Sequence, residues 1–439
     1  MTHPAVSDPP PTVTRVPFEA WWAVSLLLVL YIMSVIDRGV IAMLVVPIQA
    51  DLGINDFQMS LVLGPAFAIC YAVLGIPLGW AADRHSRRWV ILTGASIWSA
   101  SLALTGLARS FGALLAGRIG VAAGEAALSP AAYSLIGDKF PRERLTTALG
   151  VYGMGPKLGL AASYGIGALV ITLASQIGVT HIAGIGALQP WQLALVMLGA
   201  PGLLLSLLVF TISEPKRAKT AEAAPRAKLL PYLLKDWRPL LPIFIGFTLS
   251  NICGNALQQW VPTFITRRYG LSPGEYGPIM SMLSFAAACT VIFKGMFVDW
   301  LYRRGMRDAH VRFYTWLLML AIVPMTAAFF APHMWLFFVC IGIVYVATLS
   351  FLVYAVAALQ ILGPRELRGQ LAAVLLLCVS GVSPSISPVL VGALTDFVFR
   401  DANAIGASLA IVCIASLIGA FISLRLALRP IRKALESAS

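Results

Sequence analysis

Among the ionisable side chains inside long apolar runs of this chain, five stand out: Asp37 and Arg38 in the first run, Arg118 and Glu125 in the fourth, and Lys157 in the fifth. A charge at the centre of a membrane helix costs roughly 2.5–3.5 kcal/mol, so each is expected to face a cavity or a partner. Arg118 and Glu125 are seven positions apart, about 20° short of two full turns, which puts them on one helical face. A carboxylate in such a setting can exchange a proton, its state set by desolvation against any nearby guanidinium. A guanidinium there can hold an anion. Glu125 is the first candidate for a proton carrier and Asp37 the second. Arg38 is the first candidate for an anion site, followed by Arg118 and Lys157. The competing reading is a set of ion pairs that lock helices together.

A second group is polar rather than charged. Asn251, Asn255, Gln258 and Gln259 follow i, i+4, i+7, i+8 spacing on an otherwise apolar segment, one stripe along a helix. Asn251, Asn255 and Gln259 are candidates to line a substrate cavity, and hydrogen bonding between helices is the alternative.

The elements that must position these groups follow from composition. Of 439 residues, 59% are hydrophobic and 12% charged, against about 25% charged in soluble chains, and the mean hydropathy is +0.84. Apolar runs occur near 21–46, 57–81, 89–108, 111–138, 145–173 and 191–212, then 240–265, 276–298, 313–331, 334–362, 369–397 and 403–424. Each is long enough for a membrane helix. The expected fold is an all-α membrane protein of twelve transmembrane helices in two six-helix halves, 18–213 and 239–428. A disordered tail (1–17), a basic linker (214–238) carrying a short surface helix, and a second tail (429–439) complete the chain.

The distribution of cations gives the expected orientation. With the N-terminus cytoplasmic, 24 of the 32 Lys and Arg fall in cytoplasmic segments and four in segments on the other side. Positive charge is retained in the cytoplasm during insertion, so both termini are expected inside, in a multi-pass protein of the plasma (inner) membrane.

An internal repeat relates the halves. Gly79 and Asp83 precede Arg84, Arg87 and Arg88; Gly295 and Asp299 precede Arg303 and Arg304; Pro141-Arg142-Glu143 returns as Pro364-Arg365-Glu366. Repeats of this kind place a substrate cavity at their interface. Residues 79–88 resemble the signature loop of the major facilitator superfamily, whose inner gate would use Gly79 for close helix approach and Asp83 for pairing with Arg84, Arg87 and Arg88; Gly295 and Asp299 would repeat that role. A narrower resemblance is carried by Ile36-Asp37-Arg38-Gly39 with Pro47-Ile48-Gln49. Residues 118–126, continuing to Gly137-Asp138-Lys139-Phe140, extend it. Both are similar to the Spinster family. The resemblance implies proton coupling at Asp37 and Glu125, headgroup binding at Arg38, and transport of lysophospholipid- or sphingosine-phosphate-like amphiphiles by alternating access.

Other classes fit less well. The net charge of +13 is spread over alternate loops rather than clustered, which argues against nucleic acid. The six cysteines, all in apolar runs without paired spacing, are expected to be small buried hydrophobes. Four of the five histidines fall in expected loops and one in the tail, so neither a metal nor another cofactor is expected. No phosphate-binding Gly-x-x-x-x-Gly-Lys-Ser/Thr loop occurs, so ATP-driven pumping is not supported. An intramembrane enzyme would need a nucleophile–base or metal constellation; a channel is poorly served by paired buried charges. A proton-coupled carrier of a small soluble organic anion remains the alternative to a lipid-like substrate. The expected partners are the substrate, protons and membrane lipids, and the expected state is a monomer.

Overall fold

The computed structural model describes residues 16–184, 186–215, 229–364 and 366–437. Most of the first tail, the centre of the linker (216–228), Arg365, the side chain of Arg142 and the last two residues lie outside the described residues.

Among the described residues eleven helices are long and apolar enough to cross a membrane. We label them, with a twelfth, in chain order: α1 (Phe18–Met43), α2 (Asp56–Arg84), α3 (Arg87–Thr105), α4 (Phe111–Lys139), α5 (Glu143–Ile177), α6 (Pro190–Thr211), α7 (Trp237–Tyr269), α8 (Pro273–Arg303), α9 (Ala309–Phe330), α10 (Met334–Leu362), α11 (Arg368–Phe399) and α12 (Ala402–Ala434). The twelfth is α3, where two basic residues and several serines dilute an otherwise apolar helix; it packs between α4 and α6. The twelve expected runs are therefore the twelve helices. A surface helix, Leu229–Lys235, forms in the linker as expected. A small hairpin (Thr180–Ile182 with Gly186–Leu188) joins α5 to α6 where only a loop was expected.

Proline interrupts the spans. It lacks the N–H that would bond the carbonyl four residues back. Pro47 therefore ends α1 at Met43, three residues before the expected end of the first run, and starts a separate helix Val45–Leu52. The helix also breaks at Gly64 before Pro65, at Ala126–Ala127 before Pro130, and at Met154 before Pro156. The α11 helix carries two wide π-turns, Cys378–Val382 and Leu394–Phe399.

The halves meet unevenly. At the end that carries Asp56 and Arg267, one continuous apolar core joins both halves, whereas the opposite end of the first half has its own separate core. Close contact at the joined end depends on Gly64: a Cβ there would lie 2.6 Å from the Pro384 carbonyl of α11. Toward the other end the helices diverge. A Cβ on Gly79 would meet only Pro130 at 3.8 Å, and one on Gly295 would meet nothing within 4 Å. Close approach at these two glycines, expected from the motif, is absent in this conformation because the ends they sit on are apart.

Of the six cysteines, Cys253, Cys340 and Cys413 are buried and Cys289 is exposed. The expectation of buried cysteines fails for Cys289, on the α8 surface, and holds only in part for Cys70 and Cys378, because apolar residues of a span also face outward.

Candidate functional site

The site begins with how closely α4 lies on α3. A side chain on Gly124 would collide with the Trp98 amide and the Gly94 carbonyl, so glycine brings the two backbones together. Glu125 follows at once, as the last residue before the break in α4. It is 2% exposed and faces α1, where Arg38 Nε lies 3.4 Å from its Oε2. Arg38 is steadied from its own helix, Nε donating to the Ser34 carbonyl at 3.2 Å and an Nη to the Ser34 hydroxyl at 3.5 Å. Asp37 is 1% exposed and within electrostatic reach of Glu125, Arg118 and Arg38. Among the described residues the Glu125 oxygens have no donor of good hydrogen-bond geometry, and the Trp98 side chain is the one donor that interacts with Asp37. Two buried carboxylates thus face two guanidiniums, with hydrogen-bonding capacity left over.

Arg118 is fully buried, and its Nε donates to the Val62 carbonyl at 3.4 Å, while one Nη has no partner. Both guanidiniums lie over the Phe67 ring, at 5.1 Å for Arg38 and 5.2 Å for Arg118, where the electron-rich face attracts cations. Phe67 is a site residue that sequence reasoning missed. An aromatic in an apolar run carries no signal of its own.

Four of the five charged candidates are therefore gathered. The ion pair of Glu125 is with Arg38 on another helix rather than with Arg118 on its own. Seven residues share a face yet span about 10 Å of helix rise. Lys157 is not in the cluster. It lies in the first turn of the second part of α5, and its charge acts on Lys294 of α8.

The polar stripe of α7 divides. Asn251 donates its amide to the Val379 carbonyl at 2.7 Å, inside the first π-turn of α11, and Asn255 donates to the Asn251 carbonyl of its own helix at 2.9 Å. Gln259 reaches the Leu63 carbonyl of α2 at 3.4 Å with its Oε1 unpartnered. Two of the three amides thus hold neighbouring helices.

Of the motif residues at the other end, Arg87 is fully buried and works within its own half. It pairs with Asp138, donates to the Ser134 carbonyl at 3.1 Å and binds Glu214 through its backbone N–H at 2.8 Å and Nε at 3.3 Å. Glu214 also accepts from the Ser86 hydroxyl. Burial raises the Glu214 carboxyl, and the Ser86 and Arg87 donors outweigh it to leave it below its usual range. Arg84 stacks on Trp80 at 4.2 Å, Arg88 lies 5.7 Å from Phe210, and Asp83 and Asp299 are exposed. The expected partner of Arg87, Asp83, is thus replaced by Asp138 and Glu214.

A second missed group closes the joined end. Arg267 holds Asp56 through two bonds, of 2.7 and 2.8 Å, and donates to the Gln49 side-chain Oε1 at 2.8 Å. Asp396 accepts from the Phe57 amide at 2.6 Å. These bonds run between the halves, a pairing that one sequence does not display.

The Major Facilitator Superfamily profile matches residues 27–388. An "MFS-type efflux pump" of Mycolicibacterium smegmatis is 29% identical over 92% of each chain. "Protein spinster" of Drosophila melanogaster is 24% identical over 65% of this chain and 46% of that protein. Among solved structures, a bacterial homologue of the human lysosomal transporter Spinster, inward-facing and unoccupied, superposes with a TM-score of 0.76 at 25% identity, covering 95% of this chain and 97% of that one.

Proposed function

This chain belongs to the Major Facilitator Superfamily and is a secondary transporter rather than an enzyme, and we propose that it carries an amphipathic anion coupled to protons, with Arg38 as the anion site and Glu125 as the coupling acid. The observation that carries the proposal is the Arg38–Glu125 pair at 3.4 Å beside a second buried carboxylate, Asp37. A proton on Glu125 frees Arg38 for an anionic headgroup; loss of that proton restores the pair and expels the anion. Asp37 assists by exchanging charge within the same group. Reciprocal coupling of proton and anion follows from competition for one guanidinium. The likeness to the bacterial Spinster homologue supports a single-chain anionic or zwitterionic lipid as cargo.

We also assign both termini to the cytoplasm of the plasma (inner) membrane on the cation distribution, with the domains as delimited from sequence. The joined Asp56 end is then outer, and the conformation inward-facing. Labelling of a cysteine at Ala224 from outside would overturn that orientation.

The test of coupling is uptake of a lysophospholipid into proteoliposomes at matched and opposed pH. Glu125→Gln keeps the shape and loses the titration. It should bind over a wider pH range and fail to accumulate cargo along the gradient. Gradient-driven accumulation equal to the parent would make Glu125 structural. A soluble organic anion is the second reading, favoured by relatives such as the "Probable L-galactonate transporter" of Escherichia coli, 21% identical over 67% of this chain. A panel that includes galactonate separates the two.

A further inference from the structure

Lys157 and Lys294 are charges well inside the spans that the Arg38 cluster does not use. They lie on α5 and α8, one from each half, and sense each other electrostatically. The two helices pack closely where the Ser281 hydroxyl donates to the Ala161 carbonyl at 2.7 Å. Both lysines lie beyond that contact, toward the end where the halves diverge. Lys294 Nζ donates to the Val346 carbonyl on α10 at 2.5 Å. Among the described residues no carboxylate pairs with either lysine. Two like charges without a counter-charge inside a membrane domain are costly, and an anion bound between them would offset that cost.

A second feature adjoins them. An apolar groove of about 320 Å³ runs between α8, α9 and α10, lined by Leu283, Leu317, Leu320, Val339, Ile343 and Val346 among others. Val346 lines the groove and its carbonyl receives Lys294 Nζ, so a cation stands beside that end of the groove. An apolar trough with the Lys294 ammonium at the Val346 end matches a molecule with an anionic head and a single alkyl tail, by charge at one end and by apolarity along the rest.

We propose that Lys157 and Lys294 form a second anion subsite, separate from Arg38, that holds the head of a single-chain amphiphile while its tail occupies the α8–α10 groove. Its two lysines come from different halves, so the subsite depends on the packing of α5 against α8. It would receive cargo before or after the Arg38 site. In that respect it rests on the transport reading, although binding itself does not.

The probe is dodecyl phosphate, titrated by calorimetry onto full-length protein in phosphatidylcholine nanodiscs, with inorganic phosphate and dodecanol as controls. The Arg38→Ala protein should still bind dodecyl phosphate at the remaining subsite. Adding Lys157→Gln or Lys294→Gln should weaken that binding about tenfold or more, as expected for a lost charge-assisted bond, and Lys294→Arg should restore much of it. Ile343→Trp, which fills the groove, should weaken dodecyl phosphate and leave inorganic phosphate unchanged. Monodisperse elution in size-exclusion chromatography verifies that each variant is folded. Absence of dodecyl phosphate binding in Arg38→Ala, or binding indifferent to both lysines, overturns the subsite. Inorganic phosphate binding as tightly as dodecyl phosphate overturns the groove. If the lysine variants lose all binding while Arg38→Ala loses none, the subsite stands and the Arg38 assignment falls.

Discussion

Removing the charge of Asp56 should open the end of the molecule at which the halves are joined. Asp56 is 2% exposed and Arg267 14%, and the guanidinium grips both carboxylate oxygens at 2.7 and 2.8 Å while also binding Gln49. Breaking one side of a buried pair costs roughly 3–5 kcal/mol. The partial exposure of Arg267 argues for the lower bound, about 3 kcal/mol. These bonds join helices of opposite halves, so they exist only while this end is closed. Their loss therefore moves the balance between conformations by about a hundredfold, enough to bring a 1:99 minority to near parity. Asp56→Asn keeps the shape and removes the charge. Nitroxide labels at the exposed positions Ala113 and Arg268, on a background without native cysteines, would report the separation by double electron–electron resonance. The parent should show one short distance, and Asp56→Asn a second, longer population of comparable weight. An unchanged distribution in Asp56→Asn and in Arg267→Ala would refute the reasoning, since the apolar contacts alone would then hold the end shut.

Three further outcomes are expected. Arg38→Ala should abolish binding of the anionic substrate, and Arg38→Lys should retain part of it, because the flat two-donor face is lost while the charge remains; equilibrium binding measures both. The Glu214 carboxyl is held below its usual range, so its contribution to stability is present above the ordinary glutamate value and lost as pH falls through the lowered one; thermal unfolding across acidic pH should show this loss in the parent and not in Glu214→Gln. Asn251→Leu should cost about 1 kcal/mol of stability through the lost bond to Val379 while changing substrate affinity little, and a large affinity loss at normal stability would return Asn251 to the binding site.

Spans were legible in the sequence because apolar length is a property of each helix alone. Breaks at Pro65, Pro130 and Pro156 were legible in principle for the same reason, since a missing N–H acts locally. Asp37, Arg38, Arg118 and Glu125 stood out as charges in apolar runs, and the structure gathers them. What periodicity supplied was the face of a helix, not the helix it faces. Hence Arg118 and Glu125 looked like neighbours, whereas Glu125 pairs with Arg38. Lys157 reads in the sequence as one more charge in an apolar run, and the structure sets it apart from the other four. Arg267 with Asp56, and Arg87 with Asp138 and Glu214, join residues remote in the chain, and each partner alone reads as an ordinary loop charge.

The break in α2 joins these observations. At the end of its first segment the last carbonyls have no helical donor. Val62 takes its donor from Arg118 in the first half and Leu63, the next residue, takes one from Gln259 in the second. Two successive peptide units are thus tethered to opposite halves, immediately before a glycine that can turn. At Val62 and Leu63 the charged cluster and the seam between the halves therefore come within one peptide unit of each other.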